Sequence, residues 1–247
     1  MAPKISILMY HQIGDFEPMA AHRSTYCHYK RFASQMAWLS RLGYNIISMA
    51  DAVEGLSGKR KLTNHSVVLT FDDGYENFYQ YAYPVLAKYN FPAMVYLLSA
   101  KIGGTADWFA SDGRATPPML TKEQILEMRR AGIDFGSHGI NHYKLVELDR
   151  ETAKREIVDS KVQLEDLMGE EVKDFCYPYG SHDPAVVEMA RIAGYKSAVT
   201  CVRAAARPGM DLLQLPRKAI SYGDDLIGCA WKLHLKHQPK EPIPNPS

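Results

Sequence analysis

The sequence predicts an α/β chain built from parallel strand–helix units. Two observations carry this. Apolar, β-branched runs alternate with helix-periodic segments roughly seven times, with no repeats and no low-complexity core. Three of those runs also end in residues of catalytic type followed by Gly or Pro turns, the arrangement of a site built at strand C-termini. An open doubly wound sheet and a closed barrel give the same string, so the pattern leaves both open.

At 247 residues the chain fits one barrel or two small domains, and no linker is evident. An apolar fraction of 46% allows a sizeable core. A net charge of +1 gives no electrostatic reason to expect nucleic acid or an acidic membrane surface as partner. Cys27, Cys176, Cys201 and Cys229 show no paired or metal-type spacing and read as reduced and mostly buried. No run approaches membrane-spanning length, so no membrane insertion is expected. The apolar stretch before His11 is too short for a signal peptide, which makes a cytoplasmic location the expectation. Residues 1–238 read as one catalytic domain, and 239–247, with four prolines, as a disordered tail.

In order, Ile5 to Tyr10 reads as the first strand, followed by a polar loop from Gln12 to His28. Phe32, Met36, Leu39 and Leu42 recur at helical spacing, with Gly43 as the stop. Asn45 to Ile47 is a short strand, and Ser48 caps a helix to about Leu56 with Asp51 in capping-box position. After a basic loop, Ser66 to Phe71 is a strand of the type buried on both faces. Glu76 to Tyr89 is helical but contains Pro84, which predicts a kink or restart. Ala93 to Leu98 is a strand. The stretch from Ser99 to Met119 is a long loop of the kind that usually serves function. Thr121 opens a helix with a capping box to Gln124, and Asp149 caps a long helix to Met168 that Gly169 ends. Phe175 to Tyr177 is a strand, Pro184 begins a helix, Ala198 to Cys201 and Leu215 to Ile220 are strands, and Asp224 caps the last helix.

Three stretches carry chemistry. The strand at Ser66 ends in Asp72-Asp73-Gly74. Two adjacent carboxylates need a metal, an Arg or a shared proton, although the same triplet alone is good solvated-turn chemistry. The strand at Ile133 ends in Ser137-His138-Gly139-Ile140-Asn141-His142. Two imidazoles four apart lie on one side of a helical turn, within reach of one ion. The third stretch is Phe175-Cys176-Tyr177-Pro178-Tyr179-Gly180.

Taken together and in this order, these motifs resemble the polysaccharide deacetylase family, metal-dependent carbohydrate esterases that remove N- or O-acetyl groups from glycans. The resemblance spans about Ile5 to Ile220. It implies a distorted (β/α) barrel of about seven parallel strands with the site at their C-terminal ends. It also implies one divalent metal on Asp73, His138 and His142, with Zn ahead of Co, Ni or Fe. Asp72 is then the general base for a metal-activated water, and the backbone N–H of Tyr179, after Pro178, stabilises the oxyanion. Tyr75, Trp108 and Pro178 are assigned to substrate binding. Trp108 or Phe109 offers a sugar platform, or else pins the long loop to the body.

Two departures matter. Many members carry Arg where this chain has Cys176, and that Arg orients the base. Arg217 is the candidate replacement, with a plain surface Arg as the competing reading. The late Leu-x-His segment that carries the general acid is not evident, and His234 and His237 fit it poorly. His11 ends the first strand, and some members start with a similar Tyr-His, so His11 is taken as the acid, with His182, His234 and His237 behind it.

The resulting expectation is a metal-dependent hydrolase that removes acetyl groups from N-acetylated sugars of a polysaccharide or oligosaccharide. Phe-x-Tyr-Pro-Tyr-Gly without the Arg, and the Met9-Tyr10-His11 start, point to the subgroup associated with exopolysaccharide synthesis. The alternatives are a deformylase or amidase on another amide, and a non-catalytic glycan-binding module. Intact Asp72, Asp73, His138 and His142 argue against the module. The expected partner is an acetylated glycan, and the oligomeric state is not legible.

Overall fold

The computed structural model describes residues 4–19, 21–63 and 66–239. Beyond Pro239, the proline-rich tail lies outside the described residues. The strands are β1 (Ile5–Tyr10), β2 (Gln12–Gly14), β3 (Tyr26–His28), β4 (Asn45–Ile46), β5 (Ser66–Phe71), β6 (Met94–Leu97), β7 (Asp134–Ser137), β8 (Asp174–Cys176), β9 (Ser197–Arg203) and β10 (Leu215–Ala219). The α-helices are α1 (Tyr29–Arg41), α2 (Met49–Leu56), α3 (Tyr83–Tyr89), α4 (Lys122–Arg130), α5 (Arg150–Met168), α6 (Pro184–Ile192) and α7 (Leu226–Leu235).

Seven parallel strands close a barrel in the order β1-β10-β9-β8-β7-β6-β5, with β5 returning to β1. The short β4 pairs with the start of β5, where β6 has not yet begun. Closure at β1–β5 is in register over its whole length, from Ile5 opposite Ser66 to Tyr10 opposite Phe71. The period-two alternation of a strand sorts its side chains between two layers. Ile5, Ile7, Val68, Met94, Tyr96, Val199 and Leu215 fill the lumen. Leu8, Tyr10, Val67, Leu69, Phe71, Val95 and Leu97 lie under the helices. That is why the strands read as continuously apolar rather than alternating. Among the described residues no helix is long and apolar enough to cross a membrane.

Most helix ends follow the expected chemistry. Ser48 accepts from Asp51 N, Asp149 from Thr152 N, and Thr121 and Gln124 close a full capping box. The Pro84 break appears as a π-helical turn, Phe78–Ala82, before α3. Two details differ. Gln12 to His28 is not all loop: β2 and β3 pair within it, each too short to leave a periodic signal. The cap of α7 is Asp225, because Asp224 turns back to accept from Ser221 N and from Lys232. The cysteines are mostly buried as expected, Cys201 being the exposed one.

Candidate active site

The β1–β5 register does the first positioning. Carried one residue beyond Tyr10 and Phe71, it sets His11 beside Asp72, and Asp72 N donates to Tyr10 O at 3.0 Å. The lumen-facing parity of Val68 and Thr70 continues to Asp72. Asp73 and Gly74 then both take left-handed backbone, φ 74° and 81°. Only Gly74 was expected to turn. A side chain there would also collide, since a Cβ would lie 2.7 Å from Leu97.

Arg217 rises from β10 into the lumen and is buried. Its Nη1 donates to Asp72 Oδ1 at 2.6 Å and its Nη2 to Asp72 Oδ2 at 2.7 Å. The other donors meet Thr200 O, Thr70 Oγ1 and Cys176 Sγ. All five guanidinium N–H groups are therefore used, as a buried Arg requires. Arg217 is no surface residue, and it touches both Asp72 and Cys176. Burial alone would raise the Asp72 pKa, but the Arg217 charge and hydrogen bonds outweigh it and hold the carboxyl below its usual range.

His138 and His142 do not share a helical turn. After β7 the chain runs as an irregular loop, with Gly139 at φ 86° and His142 at φ 66°. Glu156, buried on α5, holds that loop. Its Oε2 accepts from Ile140 N and Asn141 N at 2.8 and 3.0 Å, and its Oε1 from the Asn141 amide at 2.7 Å. These bonds replace the ladder a helix would have supplied. Glu156 was not singled out from the sequence, though an acid beside Ala153 and Ile157 on an apolar helix stripe is a visible signal.

The loop brings His138 Nε2 to 3.2 Å and His142 Nε2 to 3.3 Å from Asp73 Oδ1. These three buried groups can hold a metal ion, their ligand atoms lying within 4.8 Å of one another. Three features fit such an ion. Asp73 Oδ1 is buried without a hydrogen-bond partner. His138 Nδ1 is engaged with Cys176 O at 2.7 Å, which leaves Nε2 for the cluster. Burial pushes His142 down to about 4, so its imidazole is neutral at working pH. Burial opposes the charge on Asp73, yet the facing imidazoles prevail and keep it ionised.

A cavity of about 630 Å³ opens over this cluster, lined by His11, Asp72, Asp73, Tyr75, Trp108, His138, His142 and Tyr179 among others. His11 Nε2 lies 3.8 Å from Asp72 Oδ2. Trp108 is half-buried with its ring 4.7 Å from that of His142, whereas Phe109 is buried against Tyr75. Of the two, Trp108 is the one available as a platform. Tyr179, φ 58°, places its exposed ring 4.4 Å from His142. Tyr75 lines the cavity but is itself almost fully buried, and Pro178 is buried outside the lining. His182 stacks on Tyr177 and bonds Gly180 O, and neither it nor His234 nor His237 lines this cavity. His22 does line it and was not singled out.

A sequence profile described as polysaccharide deacetylase matches residues 59–198. The chain belongs to the polysaccharide deacetylase family. YxkH of Bacillus subtilis is 31% identical over 233 residues, 94% of this chain and 76% of YxkH. The poly-beta-1,6-N-acetyl-D-glucosamine N-deacetylase of Staphylococcus epidermidis is 26% identical over 201 residues, 78% of this chain and 67% of that enzyme. The solved Streptococcus pyogenes deacetylase PplD, in complex with acetate, is similar with a TM-score of 0.81 at 27% identity, covering 95% of this chain and 100% of that one.

Proposed function

We propose that this polysaccharide deacetylase is metal-dependent and hydrolyses the N-acetyl groups of an amino-sugar polymer or oligomer. The observation that carries this reading is the convergence of Asp73, His138 and His142 beside a second carboxylate, Asp72, clamped by Arg217. Asp73, His138 and His142 would hold a divalent ion, which when bound would supply water activation and polarisation of the acetyl carbonyl. Zn suits the donor set, as do Co, Ni and Fe. Asp72 keeps accepting capacity on both oxygens beyond the Arg217 bonds and takes the proton of the water as general base. Arg217 is a positioning residue: its fork fixes the carboxylate plane and the ionised state. His11 protonates the leaving amine, which departs poorly until it carries that proton. The Tyr179 backbone N–H serves the oxyanion, and Trp108 meets the sugar. The Staphylococcus relative supports an exopolysaccharide of N-acetylglucosamine as substrate class.

Acetate release from N-acetylglucosamine oligomers, with and without chelator, tests this reading. Chelator should abolish turnover and added Zn or Co restore it. Asp72→Asn should keep its metal and lose turnover, whereas His138→Ala should lose the metal. Full activity in strong chelator, with metal absent by elemental analysis, would overturn metal dependence. Faster turnover of formylated or cyclic amides would overturn the substrate class.

A further inference from the structure

The far end of the barrel carries a second polar cavity of about 540 Å³. Lys4, Arg203, Arg207, His234, Lys236 and His237 line it, and its lining contains no Asp or Glu. Among the described residues, none of the four Lys and Arg side chains forms an ion pair with a carboxylate. Beneath His237 lies Lys218, 1% exposed, whose Nζ donates to Ser6 Oγ and Leu233 O at 2.9 and 3.1 Å and shares a bond of 3.0 Å with His237 Nδ1.

That last bond ties the His237 tautomer to the charge on Lys218. When Lys218 is an ammonium, His237 Nδ1 accepts from it and the neutral ring carries its hydrogen on Nε2. Among the described residues, His237 Nε2 is buried with no partner, and so is Arg203 Nε. Arg203 Nε, and His237 Nε2 when Lys218 is charged, are thus buried donors without acceptors among the described residues, in a cavity that Lys4, Arg207 and Lys236 also line. Buried donors without acceptors are costly, and unbalanced like charge adds to the cost. Both costs fall if an anion with several acceptor oxygens sits among them. The local field agrees. Burial and the nearby Lys4 charge push Lys218 down to about 7. Burial, Lys218 and Lys4 push His237 down to about 4.

We propose that this cavity binds a phosphate group. A phosphate offers the charge and the acceptor oxygens that Arg203, His237, Arg207 and Lys236 lack. The group can arrive free or on a lipid headgroup. Trp231 is exposed beside the cavity, with Lys236 Nζ 5.5 Å from its ring centroid, which makes the lipid source worth an arm of its own.

Inorganic phosphate titrated calorimetrically into the full chain, at constant ionic strength, should bind saturably. Arg207→Gln, at an exposed position, combined with Lys236→Gln, at a half-buried one, should weaken binding about tenfold or more. His138→Ala should leave it intact. Co-sedimentation with phosphatidylglycerol but not phosphatidylcholine vesicles, competed by phosphate, assigns the headgroup source. Saturable phosphate binding without sedimentation assigns the free one. No saturable binding, or binding untouched by the double change, overturns the site. Binding lost in His138→Ala places the phosphate at the Asp73 cluster and overturns it equally.

Discussion

The two ends of the barrel handle buried charge in opposite ways. At the mouth, Asp72 faces Arg217 and Asp73 faces two imidazoles, and both carboxyls are held below their usual range despite burial. Toward the base, Asp174 accepts from the Ser197 hydroxyl at 2.6 Å, and burial lifts it to about 6 despite that bond and the Lys173 charge. Lys218 has only neutral partners and is pushed down to about 7. Burial penalises the charged form at both ends, so the partner decides which form survives. The mouth keeps charges that can do chemistry. The base keeps groups poised to become neutral, or to take a ligand that supplies the missing counter-charge.

The largest effect should come from stripping the mouth of its partner. Arg217→Leu leaves a buried carboxylate uncompensated and should cost roughly 3–5 kcal/mol in denaturant unfolding, along with most turnover. Adding Asp72→Leu should recover part of the stability. A cost under about 1 kcal/mol, below that range, would erase the contrast between the ends.

His11→Ala should lower turnover roughly a hundredfold with metal content unchanged, as loss of a general acid does. Near-normal turnover would move the acid role to His22, which lines the same cavity.

Glu156→Gln removes the charge that holds the 138–142 loop. Metal affinity should fall about tenfold, read by competition with a chromogenic chelator, because the change acts through the ligands' support. Unchanged affinity would show the loop to be held by the barrel alone.

The smallest effect belongs to the base. Asp174 has a folded pKa near 6 against an unfolded value of 3.8. Its ionisation therefore costs stability as pH rises between those values, and the cost is complete above about 6. Asp174→Asn keeps an acceptor for Ser197, so it should raise Tm at pH 7 and change little at pH 3. An advantage that persists at pH 3 would assign the effect to packing instead.

Much of this was legible in the residues. Strands buried on both faces, caps at Ser48, Thr121 and Asp149, and the order of the three motifs carry strong local signals, because each depends on neighbours a few residues away. The family, the parallel α/β class and the grouping of Asp73 with His138 and His142 follow from them.

Other features have no local signature. A bidentate Arg217–Asp72 pair joins residues 145 apart, and nothing near Leu215-Pro216-Arg217 says whether that Arg faces lumen or solvent. The parity of β10 within a closed barrel decides it, since Leu215 and Arg217 share the inner face. The six-residue β1–β5 register, which seats His11 beside Asp72, likewise exists only once the barrel closes. The 138–142 spacing read as a helical turn because spacing carries no information about Glu156, whose bonds to that loop reach across from α5. Motif order is local chemistry written along the chain. Partnership between distant charges is a property of closure, because only closure brings β1, β5 and β10 within hydrogen-bonding distance.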